Sequence, residues 1–255
     1  MVRISCAIMN LKSSLCRRDF IAGTAAFAAS SVLARTADGI AAAPPPAIRT
    51  IVFQGDSITD AGRDRTGHAN EPACMGPGYV GLIAAQLLQK NPEMQIFNRG
   101  MSGHRVLDLL CRWEGDTLAL QPDLVSILIG VNDTWHQHLP GGHGSKVPRY
   151  TALYRMLLDD TLARRPTCRL LLCEPFALPV EGASFKADWM PELRERMAVV
   201  RALAKEYGAI LVPFQEKFEE AAKQHRAGEL ASDGVHPTLL GFQLMARVWR
   251  EAAGL

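Results

Sequence analysis

Thr50-Ile51-Val52-Phe53-Gln54-Gly55-Asp56-Ser57-Ile58-Thr59 is the stretch that decides the fold. Residues 50–53 make an apolar run of strand length, and the run ends at a glycine followed by an aspartate and a serine, both common in turns and caps. A hydroxyl is thereby delivered to the end of a buried strand. Outward from this stretch, short apolar runs alternate with longer segments of helical period. Strands are expected at 50–53, 95–98, 124–129, 169–173 and 210–213. Helices are expected at 79–90, part of 106–120, 150–164, 191–207, 214–225 and 239–253. This alternation implies an α/β fold, a five-stranded parallel sheet flanked by crossover helices in three layers. Ligands of such sheets bind beyond the carboxyl ends of the strands. The long, Gly-rich segments 60–77 and 135–147 are expected to form the rim of that crevice.

The composition, 48% hydrophobic and 21% charged over 255 residues, suits a single catalytic domain at 44–255. The net charge of +2 comes from the amino-terminal segment, which holds Arg3, Lys12, Arg17, Arg18 and Arg35 against Asp19 and Asp38. Without residues 1–43 the balance is −1, which argues against a phosphate-tracking surface and a nucleic-acid partner. Those 43 residues read as an export signal and linker. Arg17-Arg18-Asp19-Phe20-Ile21 leads into a small-residue apolar run at 20–34, whose 15 residues fall short of the roughly 20 that span a bilayer. Paired arginines before a weakly apolar run containing Gly23, Thr24 and Ser30 resemble a twin-arginine signal, which carries folded proteins. An ordinary secretory signal and an uncleaved anchor are the alternatives, and cleavage fits after Ala34 or within 41–43. Once the signal is removed, no stable membrane insertion is expected.

Export would leave Cys74, Cys111, Cys168 and Cys173 in an oxidising compartment, where three fully paired connectivities are open. Cys168 and Cys173 bracket one expected strand and, at about 3.3 Å per residue, stand too far apart to pair with each other. Buried free thiols are the alternative.

The blocks that carry chemistry sit after the expected strands or just before the last helix. Ser57 follows the first strand, Asn98-Arg99-Gly100-Met101-Ser102-Gly103 the second, and Gly130-Val131-Asn132-Asp133 the third. Asp233-Gly234-Val235-His236-Pro237 precedes the last helix. Acyl transfer needs a hydroxyl, a base for its proton, a group that orients the base, and donors aimed at the developing oxyanion. Ser57 supplies the hydroxyl, His236 the base and Asp233 the orienting carboxylate. The Ser57 and Gly100 amides and the Asn132 side chain supply the donors. Asp56, adjacent to Ser57, is expected to bind a local amide and steady the loop.

In order and context these blocks resemble the SGNH (GDSL-like) hydrolases, whose initials match Ser57, Gly100, Asn132 and His236. The resemblance covers residues 50–253. It implies the family's flavodoxin-like α/β/α sandwich and hydrolysis of acyl esters without metal or organic cofactor. It also implies Ser57 as nucleophile, Gly100 and Asn132 as oxyanion donors, and Asp233 with His236 as the rest of a triad. The G-x-S-x-G elbow of α/β-hydrolases is absent, and Ser102 in Gly100-Met101-Ser102-Gly103-His104 reads as a turn serine.

Other patterns have plainer explanations. Gly76-Pro77-Gly78-Tyr79-Val80-Gly81 matches a dinucleotide fingerprint, but no strand leads into it and no acidic residue follows the second strand. His136, His138 and His143 lack the carboxylate or cysteine partners of a metal site. Trp135 and His136, close behind Asn132, are expected to line a substrate pocket, with Glu174 and Phe176 forming another wall. The expected substrate is a small ester, above all an O-acetyl group on a carbohydrate. A lysophospholipase or thioesterase is the alternative within the family, and a non-catalytic carbohydrate-binding protein the alternative outside it. The oligomeric state is left open by the sequence.

Overall fold

A computed structural model describes residues 47–255, so the expected export signal and linker at 1–43 lie outside the described residues. Five strands, β1 (Thr50–Gly55), β2 (Gln95–Asn98), β3 (Leu124–Leu128), β4 (Arg169–Cys173) and β5 (Ile210–Val212), form one parallel sheet in the order β2-β1-β3-β4-β5. Register pairs Ile51 with Ile96 on one side of β1 and with Leu124 on the other. β3 is buried throughout, as both faces of a parallel sheet are covered by helices.

Helices α1 (Ser57–Asp60), α2 (Pro72–Met75) and α3 (Tyr79–Lys90) join β1 to β2, and α4 (Val106–Asp116) joins β2 to β3. Helices α5 (Val131–Trp135) and α6 (Val147–Arg164) lead to β4, and α7 (Met190–Glu206) to β5. Helices α8 (Phe214–Ala221), α9 (Ala227–Leu230) and α10 (Leu239–Ala253) end the chain. One face of the sheet packs on α3, α8 and α10 through Ile51, Phe53, Leu171 and Trp249. The other packs on α4, α6 and α7 through Val125, Ile127, Leu172, Tyr154 and Leu203. The burial of Ser126 within β3 is compensated on the first face, where its hydroxyl accepts a 2.8 Å bond from the Trp249 indole.

The three-layer α/β fold and all five strands are as expected, and the differences lie at the ends. β1 runs two residues longer, to Gly55, whereas β3 and β5 each stop one residue early. α6 begins at Val147 because Pro148 suits a first helical turn, and α8 is shorter than the expected 214–225. Four one-turn helices, α1, α2, α5 and α9, were not expected from periodicity, which a single turn is too short to display. Gly78 caps α3, and α2 rather than a strand leads into Gly76, so the glycine pattern there has no dinucleotide context.

The chain leaves β1 toward β2 on one side and returns to β3 on the other. The switch point between β1 and β3 therefore opens a crevice at the carboxyl end of the sheet. Ser57 and Asn132 are the residues that the ends of β1 and β3 place there.

Candidate active site

Ser57 opens α1 directly after β1. Its hydroxyl lies 2.8 Å from His236 Nε2, and His236 Nδ1 lies 2.7 Å from Asp233 Oδ2. Asp233 and His236 meet because the segment between them is a tight turn. Asp233 Oδ1 accepts the amides of Val235 (3.0 Å) and His236 (2.7 Å), while Gly234 takes φ +85°, open to glycine without strain. A side chain at 234 would stand 2.4 Å from the Leu178 carbonyl. Burial opposes ionisation of Asp233, but those amides and the His236 ring hold it below the usual carboxylate range. The Asp233 carboxylate is thus ionised, and the imidazole tautomer that donates to it from Nδ1 leaves Nε2 as a hydrogen-bond acceptor facing the Ser57 hydroxyl.

Asn132, on α5, is buried and spends one side-chain hydrogen on the His104 carbonyl at 3.1 Å, leaving a second. The Ser57 amide has no acceptor among the described residues. Gly100 differs from expectation in two respects. Its amide donates to Asn98 Oδ1 at 3.0 Å, so a substrate oxygen would have to share that hydrogen. Its missing side chain makes room for α1, since a Cβ there would lie 2.3 Å from the Asp60 nitrogen and 2.6 Å from the Thr59 carbonyl carbon. Glycine is needed for that packing before any substrate arrives.

Two buried carboxylates stand behind the crevice. Asp56 accepts the Ile58 amide at 3.0 Å through Oδ1, while Oδ2 has no partner; burial pushes its pKa up to about 7, against the pull of that amide and of His236. Asp133 accepts the Val106 amide at 3.0 Å and ties α5 to α4; burial raises it to about 6. Ser102 donates amide and hydroxyl to Asp60.

Trp135 packs edge-on against Phe185 (centroids 6.0 Å apart) and lies 6.4 Å from Trp189, two rings of the β4–α7 loop that sequence patterning does not single out. His136 is half-buried beside the His143 ring at 4.9 Å, and burial first, then His143, lowers its pKa. Glu174 and Phe176 do not form a pocket wall. Both are fully buried, Glu174 paired with Arg201 and Phe176 stacked on Phe218 at 4.1 Å. The chain after β4 is drawn inward because Ala177 exchanges two hydrogen bonds with Gln215 of α8. Cys74, Cys111, Cys168 and Cys173 are free thiols; burial pushes Cys168 and Cys173 up to about 12. Among the described residues, no cluster of three or more His, Cys, Asp or Glu side chains could hold a metal ion, and no helix is long and apolar enough to cross a membrane.

Residues 53–244 match the model of the GDSL-like Lipase/Acylhydrolase family. An acetylxylan esterase of Geobacillus stearothermophilus is 36% identical over 211 residues, 80% of this chain and 93% of that protein. The solved structure of Axe2, an acetylxylan esterase from the same organism, superposes with a TM-score of 0.73 at 33% identity over 81% of this chain and 94% of that one. Variants of Axe2 with a serine or a histidine replaced by alanine are described as catalytic mutants. A GDSL-like lipase candidate from Parabacteroides merdae ATCC 43184 superposes with a TM-score of 0.77 at 45% identity, covering 81% and 96% of the two chains. The family model spans most of the chain and the curated relative nearly all of the described residues, and the non-catalytic alternative falls away: this chain belongs to the GDSL-like lipase/acylhydrolase family and is a carboxylic ester hydrolase.

Proposed function

We propose that the protein removes acetyl groups from an acetylated carbohydrate through a covalent intermediate on Ser57. The observation that carries this reading is the continuous line of hydrogen bonds from Ser57 Oγ through the His236 ring to Asp233. The acetylxylan specificity of a relative 36% identical supports the substrate class. Ser57 Oγ attacks the ester carbonyl carbon as its proton passes to His236 Nε2, and Asp233 stabilises the imidazolium. The Ser57 amide and Asn132 side chain receive the oxyanion, joined by the shared Gly100 amide, and each donor is worth about 2.7 to 4 kcal/mol of barrier. Collapse breaks the bond between the acyl carbon and the sugar oxygen, which takes the proton from His236 and leaves as a hydroxyl, and acetyl-Ser57 remains. Water then attacks with the same base, releasing acetate and restoring the serine.

The test is turnover of p-nitrophenyl esters of rising chain length and acetate release from acetylated xylan, each beside Ser57→Ala. The proposal expects acetyl esters to be preferred and Ser57→Ala to be inert. Equal rates for the two proteins, or preference for acyl chains of eight or more carbons, would overturn it. We also propose that the chain is exported, on the strength of Arg17-Arg18 and the apolar run that follows.

A further inference from the structure

Arg63 lies in the segment between α1 and α2 and is only 7% exposed. A buried guanidinium normally faces a carboxylate, because leaving its charge unpaired is costly. Arg63 makes no ion pair among the described residues, and the acid beside it, Asp60, is engaged by Arg65 and Ser102. Its donors go instead to backbone carbonyls. Nε and Nη2 both reach the Gly100 oxygen, at 3.2 and 3.1 Å, and Nη1 reaches the Asp64 oxygen at 3.2 Å. The other end of the same Gly100–Met101 peptide is also held, because the Met101 amide donates to the Gly55 carbonyl at 3.1 Å. Gly55 stands two residues before Ser57. Asn98 completes the clamp, accepting the Gly100 amide while its own amide donates to the Thr59 and Met75 carbonyls at 2.7 and 2.9 Å.

We propose that Arg63 is a positioning residue for the oxyanion pocket: its guanidinium grips the Gly100 carbonyl and so sets the Gly100 amide against the turn that carries Ser57. This inference rests on the reading of Ser57 as nucleophile and Gly100 as an oxyanion donor. Arg63 does not touch substrate. Two effects follow from its placement. The two donors on one oxygen fix the Gly100–Met101 peptide, which adjoins the Arg99–Gly100 peptide whose amide is the donor, and so restrict the Gly100 torsions that would otherwise have to settle when the oxyanion forms. The positive charge also sits one residue's backbone away from that amide, with the sign that favours a developing anion. Both effects are felt mainly in the transition state, so removing them lowers kcat and leaves substrate binding in place.

The experiment compares the purified wild-type protein with Arg63→Ala, Arg63→Gln, Arg63→Lys and Ser57→Ala, using p-nitrophenyl acetate well below each melting temperature. Misplacing a catalytic donor by about 1 Å costs on the order of a hundredfold. Arg63→Ala and Arg63→Gln are therefore expected to lose between about tenfold and a hundredfold in kcat, with KM within about twofold of wild type. Arg63→Lys, which keeps the charge and one donor, is expected to recover part of the loss. Affinity for a boronic acid that forms a tetrahedral anion on the serine should fall in step with kcat/KM, whereas affinity for the product alcohol should not change. Should Arg63→Ala fail to fold, Arg63→Gln and Arg63→Lys decide the matter. A kcat within about twofold of wild type in a folded Arg63→Gln protein, or a raised KM with unchanged kcat, would overturn the role of Arg63. Full activity in Ser57→Ala would instead overturn the reading on which it rests.

Discussion

The aspartate that precedes Ser57 holds a proton at a pH where most carboxyls have lost theirs. Asp56 is fully buried, and its pKa rises from 3.8 to about 7 because burial disfavours the charged form. Between those values the unfolded chain has released the proton and the folded protein keeps it. Stability therefore falls as pH rises through that window and levels off above about 7. Asp133, raised to about 6 by the same cause, acts in the same direction. Asn resembles a protonated Asp56 and can keep the bond to the Ile58 amide, so Asp56→Asn should match wild type in stability near pH 4. At pH 8 it should be more stable, by up to the order of 4 kcal/mol. Urea unfolding at the two pH values measures this, and a difference that does not change with pH would contradict it. Asp56 shows what sequence could and could not reveal at this scale. Its position beside Ser57 announces a role in the loop, and the amide bond to Ile58 agrees with that. The lack of any partner for Oδ2 depends on what surrounds it in space, which adjacency does not encode.

At the scale of elements, strands and long helices were legible because each repeats its burial pattern over several residues. β3 is apolar on both faces apart from Ser126, and α10 carries Leu244, Met245, Val248 and Trp249 on one buried stripe. The contacts that lock one element to another were not legible. Arg63 and Gly100 are 37 residues apart, and Asp133 and the Val106 amide 27, and neither pair belongs to a periodic pattern. The misreading of Glu174 and Phe176 has a related cause. A residue after a strand reaches the crevice only where no neighbour covers that strand end, and α8 covers the end of β4 through Gln215. Gly100 tests the closest of these junctions. Ala at position 100 would press its Cβ on the backbone of α1, at 2.3 Å from the Asp60 nitrogen, so β2–α4 and α1 must separate. Gly100→Ala should lose about 1 to 3 kcal/mol of stability and at least tenfold in kcat. Wild-type stability and turnover in that variant would show that the junction is looser than its geometry implies.

At the scale of the whole molecule, the sheet order places the β1 and β3 ends on either side of one crevice, and the turn before α10 brings His236 to it from 179 residues away. This convergence, rather than any one motif, is what the proposed serine mechanism rests on. The proposed export also belongs to this scale. Replacing Arg17 and Arg18 by lysine should hold the protein in the cytoplasm in a cell fractionation experiment, and unchanged export would rule out the twin-arginine route. The most direct test of the central claim is the intact mass of the protein after rapid acid quenching during turnover of p-nitrophenyl acetate, followed by peptide mapping. The account predicts a single acetyl group per chain, on Ser57, and none in Ser57→Ala. Acetyl on a different residue, or turnover by Ser57→Ala with no acetylated protein, would contradict it.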